Sequence, residues 1–309
     1  MTCVSVVIPT HKRPDMVVRA VHSVLAQTMR DFEIIVVIDG GDPATIAALE
    51  TIADSRLRTI VRPVARGAGL ARDAGADAAV GDWIAFLDDD DEWMPQKLER
   101  QLAVAPADRR AVLATLYRVV SAHGETISPL LPYDGRRPID EWLFGRQTWL
   151  KAHEAMLQTS AIMVPRDMFR SLHFRDAMHE EWEICIRAVK ELGYAFITVE
   201  EPLVTYYAPL PNASALSMTH RMERSMAWAD SVGPLLSRRA YSGFALTVAT
   251  QVPPSGPRWR AMVSAFKAAV LKGSPTPRQL FAFAGIALVP HSLRRRIRAL
   301  RPRRPQQPA

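Results

Sequence analysis

The sequence predicts an α/β fold: a mainly parallel sheet flanked by helices, followed by a helical C-terminal extension. Three observations carry this expectation. Short β-branched runs alternate with amphipathic segments of about a dozen residues, the signature of βαβ units. Each early run ends in a polar cluster, and the regular alternation stops after Pro202.

Val4–Ile8 is nearly unbroken apolar sequence, as a strand covered on both faces should be. Pro14 then stands where a helix accepts proline, and Val17, Val18, Val21, Val24 and Leu25 recur at helical spacing. Glu33–Ile38 predicts a second strand, Pro43–Asp54 a helix, Leu57–Val61 a third strand and Leu70–Val80 a helix. Trp83–Leu87 predicts a fourth strand, Pro95–Val104 a helix and Ala111–Val120 a further strand. Glycine, proline and arginine then accumulate between Ser121 and Gly145, which predicts a long loop that binds or covers substrate. Ser160–Val164 predicts a strand and Arg166 opens a short helix. A helix follows from His179, with Trp182, Ile186 and Val189 in step and Gly193 as its stop. Helices are expected beyond that at Met218–Trp228, Arg258–Leu271 and Gln279–Leu288.

The formal charge of +7 over 309 residues conceals an asymmetry. Residues 1–202 hold 23 Lys/Arg against 30 Asp/Glu, whereas 203–309 hold 16 against 2. Seven of those arginines lie between Arg294 and Arg304, beside the short apolar run Leu280–Val289. Partial burial plus attraction to anionic headgroups is what an interfacial anchor needs. No recognition motif accompanies the arginines, so nucleic acid is not expected as a partner. Cys3 and Cys185 suggest neither a disulfide framework nor a zinc site. Neither a secretory leader nor a membrane-spanning segment is expected. The expected location is cytoplasmic, peripheral on the cytoplasmic face of the membrane.

In open parallel sheets ligands bind beyond the carboxyl ends of the strands. Thr10–Arg13, Asp39–Asp42 and Asp88–Asp91 all fall there and are expected to face one crevice. Four consecutive aspartates at a strand end repel one another, and such oxygen-rich sites suit Mg²⁺ or Mn²⁺ bridging to phosphates. An NAD(P)-dependent oxidoreductase would use a sheet of this kind. Its glycine fingerprint is absent after the first strand, and Arg72 stands where Gly67-Ala68-Gly69 would need a third glycine. A non-catalytic, membrane-associated nucleotide-binding protein would explain the tail but not three converging polar clusters.

Five stretches then carry a family resemblance: Val4–Pro14, Ser23–Thr28, Glu33–Val37, Gly69–Gly75 and Trp83–Pro95. Together they resemble family 2 glycosyltransferases of the GT-A fold, a Rossmann-like sheet, over roughly residues 2–207. The implied organisation is a GT-A domain at 1–207, with a nucleotide-sugar half to about 110 and an acceptor half at 111–207. A helical, basic extension at 208–309 follows. The resemblance implies inverting transfer of a sugar from a nucleotide-diphosphate sugar, UDP-linked, to an acceptor hydroxyl. A lipid-linked saccharide in cell-surface polysaccharide or lipopolysaccharide assembly is the implied acceptor.

The resemblance also implies residue roles. Asp90 and Asp88 would hold Mg²⁺ or Mn²⁺, with Asp89 near the ribose. Pro9, Thr10, His11 and Arg13 would line the nucleotide pocket, Asp39 would hydrogen-bond the base, and Arg72 would brace the pocket or the phosphates. Asp91 and Glu92 are assigned to the following turn. Glu181, the second acid of the pair Glu180-Glu181, would be the general base that activates the acceptor hydroxyl. Three positions depart from the family pattern: Gly41 after Asp39-Gly40, Asp73 in place of asparagine, and a glutamate in place of the commoner aspartate base.

Overall fold

A computed structural model describes residues 4–122, 124–150, 154–175, 178–208, 221–252 and 254–288. The chain divides into two compact units, one of residues 1–143 with 152–215, the other of 144–151 with 216–309.

The first unit is built on a nine-stranded mixed sheet. In chain order its elements are β1 (Val4–Thr10), α1 (Pro14–Leu25), β2 (Phe32–Asp39), α2 (Pro43–Glu50), β3 (Leu57–Arg62), α3 (Ala68–Ala78) and β4 (Trp83–Phe86). There follow β5 (Glu92–Trp93), α4 (Lys97–Ala103), β6 (Ala111–Ser121), β7 (Gly124–Ser128), α5 (Ile139–Phe144), β8 (Ile162–Pro165), α6 (Glu180–Lys190) and β9 (Ala195–Tyr207). The sheet order is β3-β2-β1-β4-β8-β6-β9-β5, with β7 paired to β6. The first four strands are parallel. β8 runs antiparallel between β4 and β6.

Alternation of side chains explains why both faces are covered. Val4, Val6 and Ile8 of β1 join Val17, Val21 and Val24 of α1 in one buried cluster. The opposite face carries Val7 and Val37, and α3 packs there through Gly75. A Cβ at Gly75 would overlap Val7 and lie 3.1 Å from Val37 Cγ2, so glycine lets the helix approach the sheet. The chain leaves β1 for β2 and β3 on one side and returns to β4 on the other. That reversal opens a crevice beyond the ends of β1 and β4.

Two stretches depart furthest from the expected elements. The stretch Ser121–Gly145 is not one loop: β7 pairs with β6 from Tyr117↔Ser128 to Ser121↔Gly124, and α5 follows. Backbone pairing makes β7 a strand, although its sequence is mostly exposed and carries little pattern. The long strand β9 was not expected, because Glu200-Glu201-Pro202 interrupts it. Register shifts around Leu116, which faces Pro202, absorb the interruption.

The second unit contains α7 (Met222–Ser231), α8 (Arg238–Gly243), α9 (Arg258–Leu271) and α10 (Pro277–Leu288). α8 is capped by the Ser237 side chain and runs into a single π-turn at Phe244–Val248. Phe244 packs against Phe144 at 5.2 Å and Trp228 at 5.0 Å between ring centroids. Residues 218–220, expected to open α7, and the arginine cluster at 294–304 lie outside the described residues. Among the described residues no helix is long and apolar enough to cross a membrane.

Candidate active site

The crevice is assembled from the ends of β1, β2 and β4 and the start of α6. After β4 the chain turns sharply, with Asp91 N–H donating to the Asp88 carbonyl at 3.1 Å. This turn aims the consecutive carboxylates in different directions. Asp89 points to the β1 loop, where it accepts from Thr10 Oγ1 at 2.7 Å and Arg13 Nη1 at 2.9 Å. The same guanidinium reaches Asp90 at 3.1 Å. Burial, then the charges of Asp88 and Asp89, push Asp90 up to about 6, although Arg13 opposes them. Its side chain remains 39% exposed, the most open of this group.

Asp91 is fully buried and accepts from Ser160 Oγ at 2.5 Å. That hydroxyl in turn accepts from the Asp88 N–H at 3.0 Å, so a buried carboxylate fixes the backbone that carries Asp88. Glu92, expected in a turn, opens β5 and is held by Arg19 at 3.0 Å and Tyr207 at 2.8 Å. Ser160 and Arg19 were not singled out from the sequence. Nothing in the local pattern marks them, because their partners lie about 70 residues away.

Asp39 is also occupied within the protein. Its carboxylate accepts from Arg62 Nη1 at 2.9 Å and from the backbone N–H groups of Arg66 at 2.9 Å and Gly67 at 2.8 Å. It thereby ties the end of β2 to the start of α3, and His11 Nδ1 meets its backbone oxygen. Pro9 is buried inside β1 in register with Val37.

Arg72 joins the two sides of the crevice. Only 5% exposed, it pairs with Asp88 at 2.5 Å and with Glu180 at the first turn of α6. Burial opposes its charge, yet Asp88 and Glu180 outweigh burial and hold the guanidinium firmly protonated. Phe174 lies beneath it at 5.6 Å. A Cβ at Gly69 would overlap Glu180 Oε2 and sit 3.0 Å from its Cδ, so α3 needs a bare backbone where the glutamate passes.

The acids of α6 separate cleanly. Glu180 is bound to Arg72, and Glu183, 3% exposed, pairs with Arg175 at 3.0 Å. Glu181 forms no salt bridge among the described residues. Burial, with the charges of Glu180 and Asp88, pushes it up to about 7 against the pull of its backbone N–H and of Arg72. A carboxyl with that affinity is poised to exchange a proton near neutrality.

Among the described residues no three His, Cys, Asp or Glu side chains converge as a ready-made metal cage. Asp88 and Asp90 nevertheless offer hard oxygen donors within a cluster whose negative charge already raises Asp90. That donor set fits a cation which completes its shell from diphosphate and water rather than from protein.

Known proteins resemble this chain in sequence and fold. The model of glycosyl transferase family 2 matches residues 5–172. The chain is 27% identical over 250 residues to the amylovoran biosynthesis glycosyltransferase AmsB of Erwinia amylovora, covering 76% of this chain and 79% of AmsB. It is 39% identical over 124 residues to the succinoglycan biosynthesis protein ExoO of Rhizobium meliloti, covering 40% of this chain but 36% of ExoO. Over 129 residues it is 29% identical to the Escherichia coli UDP-Glc:α-D-GlcNAc-diphosphoundecaprenol β-1,3-glucosyltransferase WfgD, covering 41% of this chain and 51% of WfgD. Among solved structures, the mannosyltransferase PcManGT from Pyrobaculum calidifontis, in complex with GDP-Man and Mn²⁺, superposes with a TM-score of 0.60 at 16% identity. That match covers 92% of this chain and 79% of PcManGT. Residues 1–349 of S. aureus TarS, in complex with UDP-GlcNAc, superpose with a TM-score of 0.59 at 15% identity, covering 95% and 92%. The fold is therefore that of the GT-A glycosyltransferases. The chain belongs to glycosyl transferase family 2 and is a glycosyltransferase.

Gly69→Ala tests the packing of Glu180 against α3. Pushing Glu180 off the buried Arg72 guanidinium outweighs the gain of up to about 1 kcal/mol that alanine adds to a helix, so the melting temperature should fall. Displacing Glu180 should lower donor turnover by about tenfold or more. Unchanged turnover would show that the position of Glu180 does not matter.

Proposed function

We propose that this glycosyltransferase moves a sugar, with inversion, from a UDP-linked sugar to a hydroxyl of a lipid-linked saccharide in the assembly of a cell-surface polysaccharide. The observation that carries the reading is the Arg72 bridge from Asp88 to Glu180, beside the carboxyl of Glu181, which forms no salt bridge among the described residues. The names of AmsB, ExoO and WfgD support the pathway, and those of WfgD and TarS support the donor. We take residues 1–207 as the transferase domain, its donor half to about 110, and 208–309 as the basic extension.

In this reading Pro9, Thr10, His11, Arg13 and Asp39 frame the nucleotide pocket, and Asp89 contributes by fixing Thr10 and Arg13. Asp88 and Asp90 would hold Mg²⁺ or Mn²⁺, which when bound supplies positive charge beside the departing diphosphate. Arg72 holds Asp88 correctly turned. Glu181 accepts the proton of the acceptor hydroxyl as that oxygen bonds to the anomeric carbon. The bond from that carbon to the phosphate oxygen breaks, and its electron pair leaves with the nucleoside diphosphate. Base and leaving group stand on opposite faces of the sugar, which inverts the anomeric centre. The arginines of 294–304 would add attraction to an anionic membrane surface where a lipid-linked acceptor resides.

Glu181→Gln should lower kcat by about 10²- to 10⁴-fold while nucleotide-sugar binding, followed by calorimetry, stays within about twofold. Because the base works ionised, wild-type kcat should rise with pH through about 7 and then level. The residual rate of the variant should lack that limb. Near-normal turnover of Glu181→Gln would remove this residue from the mechanism.

Chelation of divalent cations should abolish transfer, and Mn²⁺ or Mg²⁺ should restore it in wild type but not in Asp90→Asn. Full activity after exhaustive chelation would count against a metal at Asp88 and Asp90.

A further inference from the structure

A helix on the surface of a soluble unit needs one apolar stripe, facing its core. α9 has two. Met262, Ala265 and Ala269 form the buried one. Trp259, Val263, Phe266 and Val270 form the second, spaced by four, three and four residues, and they are 64%, 46%, 41% and 45% exposed. The exposed stripe continues onto α10, because Phe266 stacks on Phe283 at 5.9 Å with 26° between the rings. Phe281, half exposed, meets Trp149 edge-on at 5.5 Å and widens the surface further.

The helices that carry this surface hold only basic charges. Arg258, Arg260, Lys267 and Arg278 are exposed, and no Asp or Glu occurs between Arg258 and Leu288. Arg260 lies over the Trp259 ring at 5.2 Å and Arg278 over Trp149 at 5.9 Å. Tryptophan and phenylalanine on an apolar face, with arginines alongside, match the layered chemistry of a membrane interface, where rings enter the acyl boundary and cations meet phosphates. We infer that the face formed by α9, α10 and Trp149 docks on an anionic lipid bilayer.

Charge complementarity selects this occupant. A second copy applied by two-fold symmetry would set one basic rim against another. The segment that follows α10 is itself arginine-rich and equally repelled. The inference goes beyond the tail attraction proposed above, because it assigns the contact to folded residues and supplies an apolar component that salt cannot screen.

The test uses the full chain in sedimentation with phosphatidylcholine vesicles, with and without about 30% phosphatidylglycerol. Trp259→Ser/Phe266→Ser and Arg260→Glu/Lys267→Glu should each bind the anionic vesicles about tenfold or more weakly than wild type. Melting temperature and donor hydrolysis should stay unchanged. A further variant, with serine at Arg294, Arg295, Arg296 and Arg298, separates the two contacts. If it loses binding while both face variants keep it, the attraction belongs to the tail and the face proposal fails. The proposal also fails if wild type ignores anionic vesicles. It fails again if the Trp259→Ser/Phe266→Ser change converts a wild-type dimer to monomer, which would make the face a self-association surface, or if that change releases an acidic protein partner without altering vesicle binding.

Discussion

A buried guanidinium between two carboxylates is the constraint on which the crevice depends. Removing Arg72 from water costs several kcal/mol unless its charge is matched at close range. Asp88 and Glu180 supply that match from a strand end and a helix start that are 92 residues apart in sequence. Arginine suits the task because its planar fork can address two partners at once and stays charged when buried. One side chain thus fixes the position of the donor-side turn relative to the helix that carries Glu181. The backbone concedes to the same contact, since α3 has no side chain at Gly69 where Glu180 passes.

The arrangement sorts a crowd of acids into distinct states. Asp89 and Asp39 are held by donors within the fold, and Asp91 is spent on Ser160 beneath the Asp88 backbone. What remains is Asp90, open and raised to about 6, and Glu181, raised to about 7. Environment alone separates carboxyl groups that are chemically equivalent in the sequence. In the proposed reading one would serve a cation and the other a proton.

Legibility followed the range of the interaction. The parallel strands β1 to β4 and helix α9 were readable because hydrophobic period and proline placement are local signals. The convergence of the three polar clusters was readable too, since it needs only strand direction. β9 was not, because Glu200-Glu201-Pro202 breaks its pattern and pairing with β6 and β5 sustains it. The contacts of Ser160 with Asp91 and of Gly69 with Glu180 were not readable for the same reason: each partner is more than 60 residues distant. Which of Glu180, Glu181 and Glu183 are ion-paired also needed coordinates, since Arg72 holds the first and Arg175 the third.

The most direct measurement is a double-mutant cycle on kcat/KM with Asp88→Asn, Glu180→Gln and their combination. If Arg72 transmits position between the two sides, the losses should be strongly non-additive, with a coupling of about 1 kcal/mol or more. Losses that add to within about 0.5 kcal/mol would mean that the two sides act independently and that the bridge is not what organises the site.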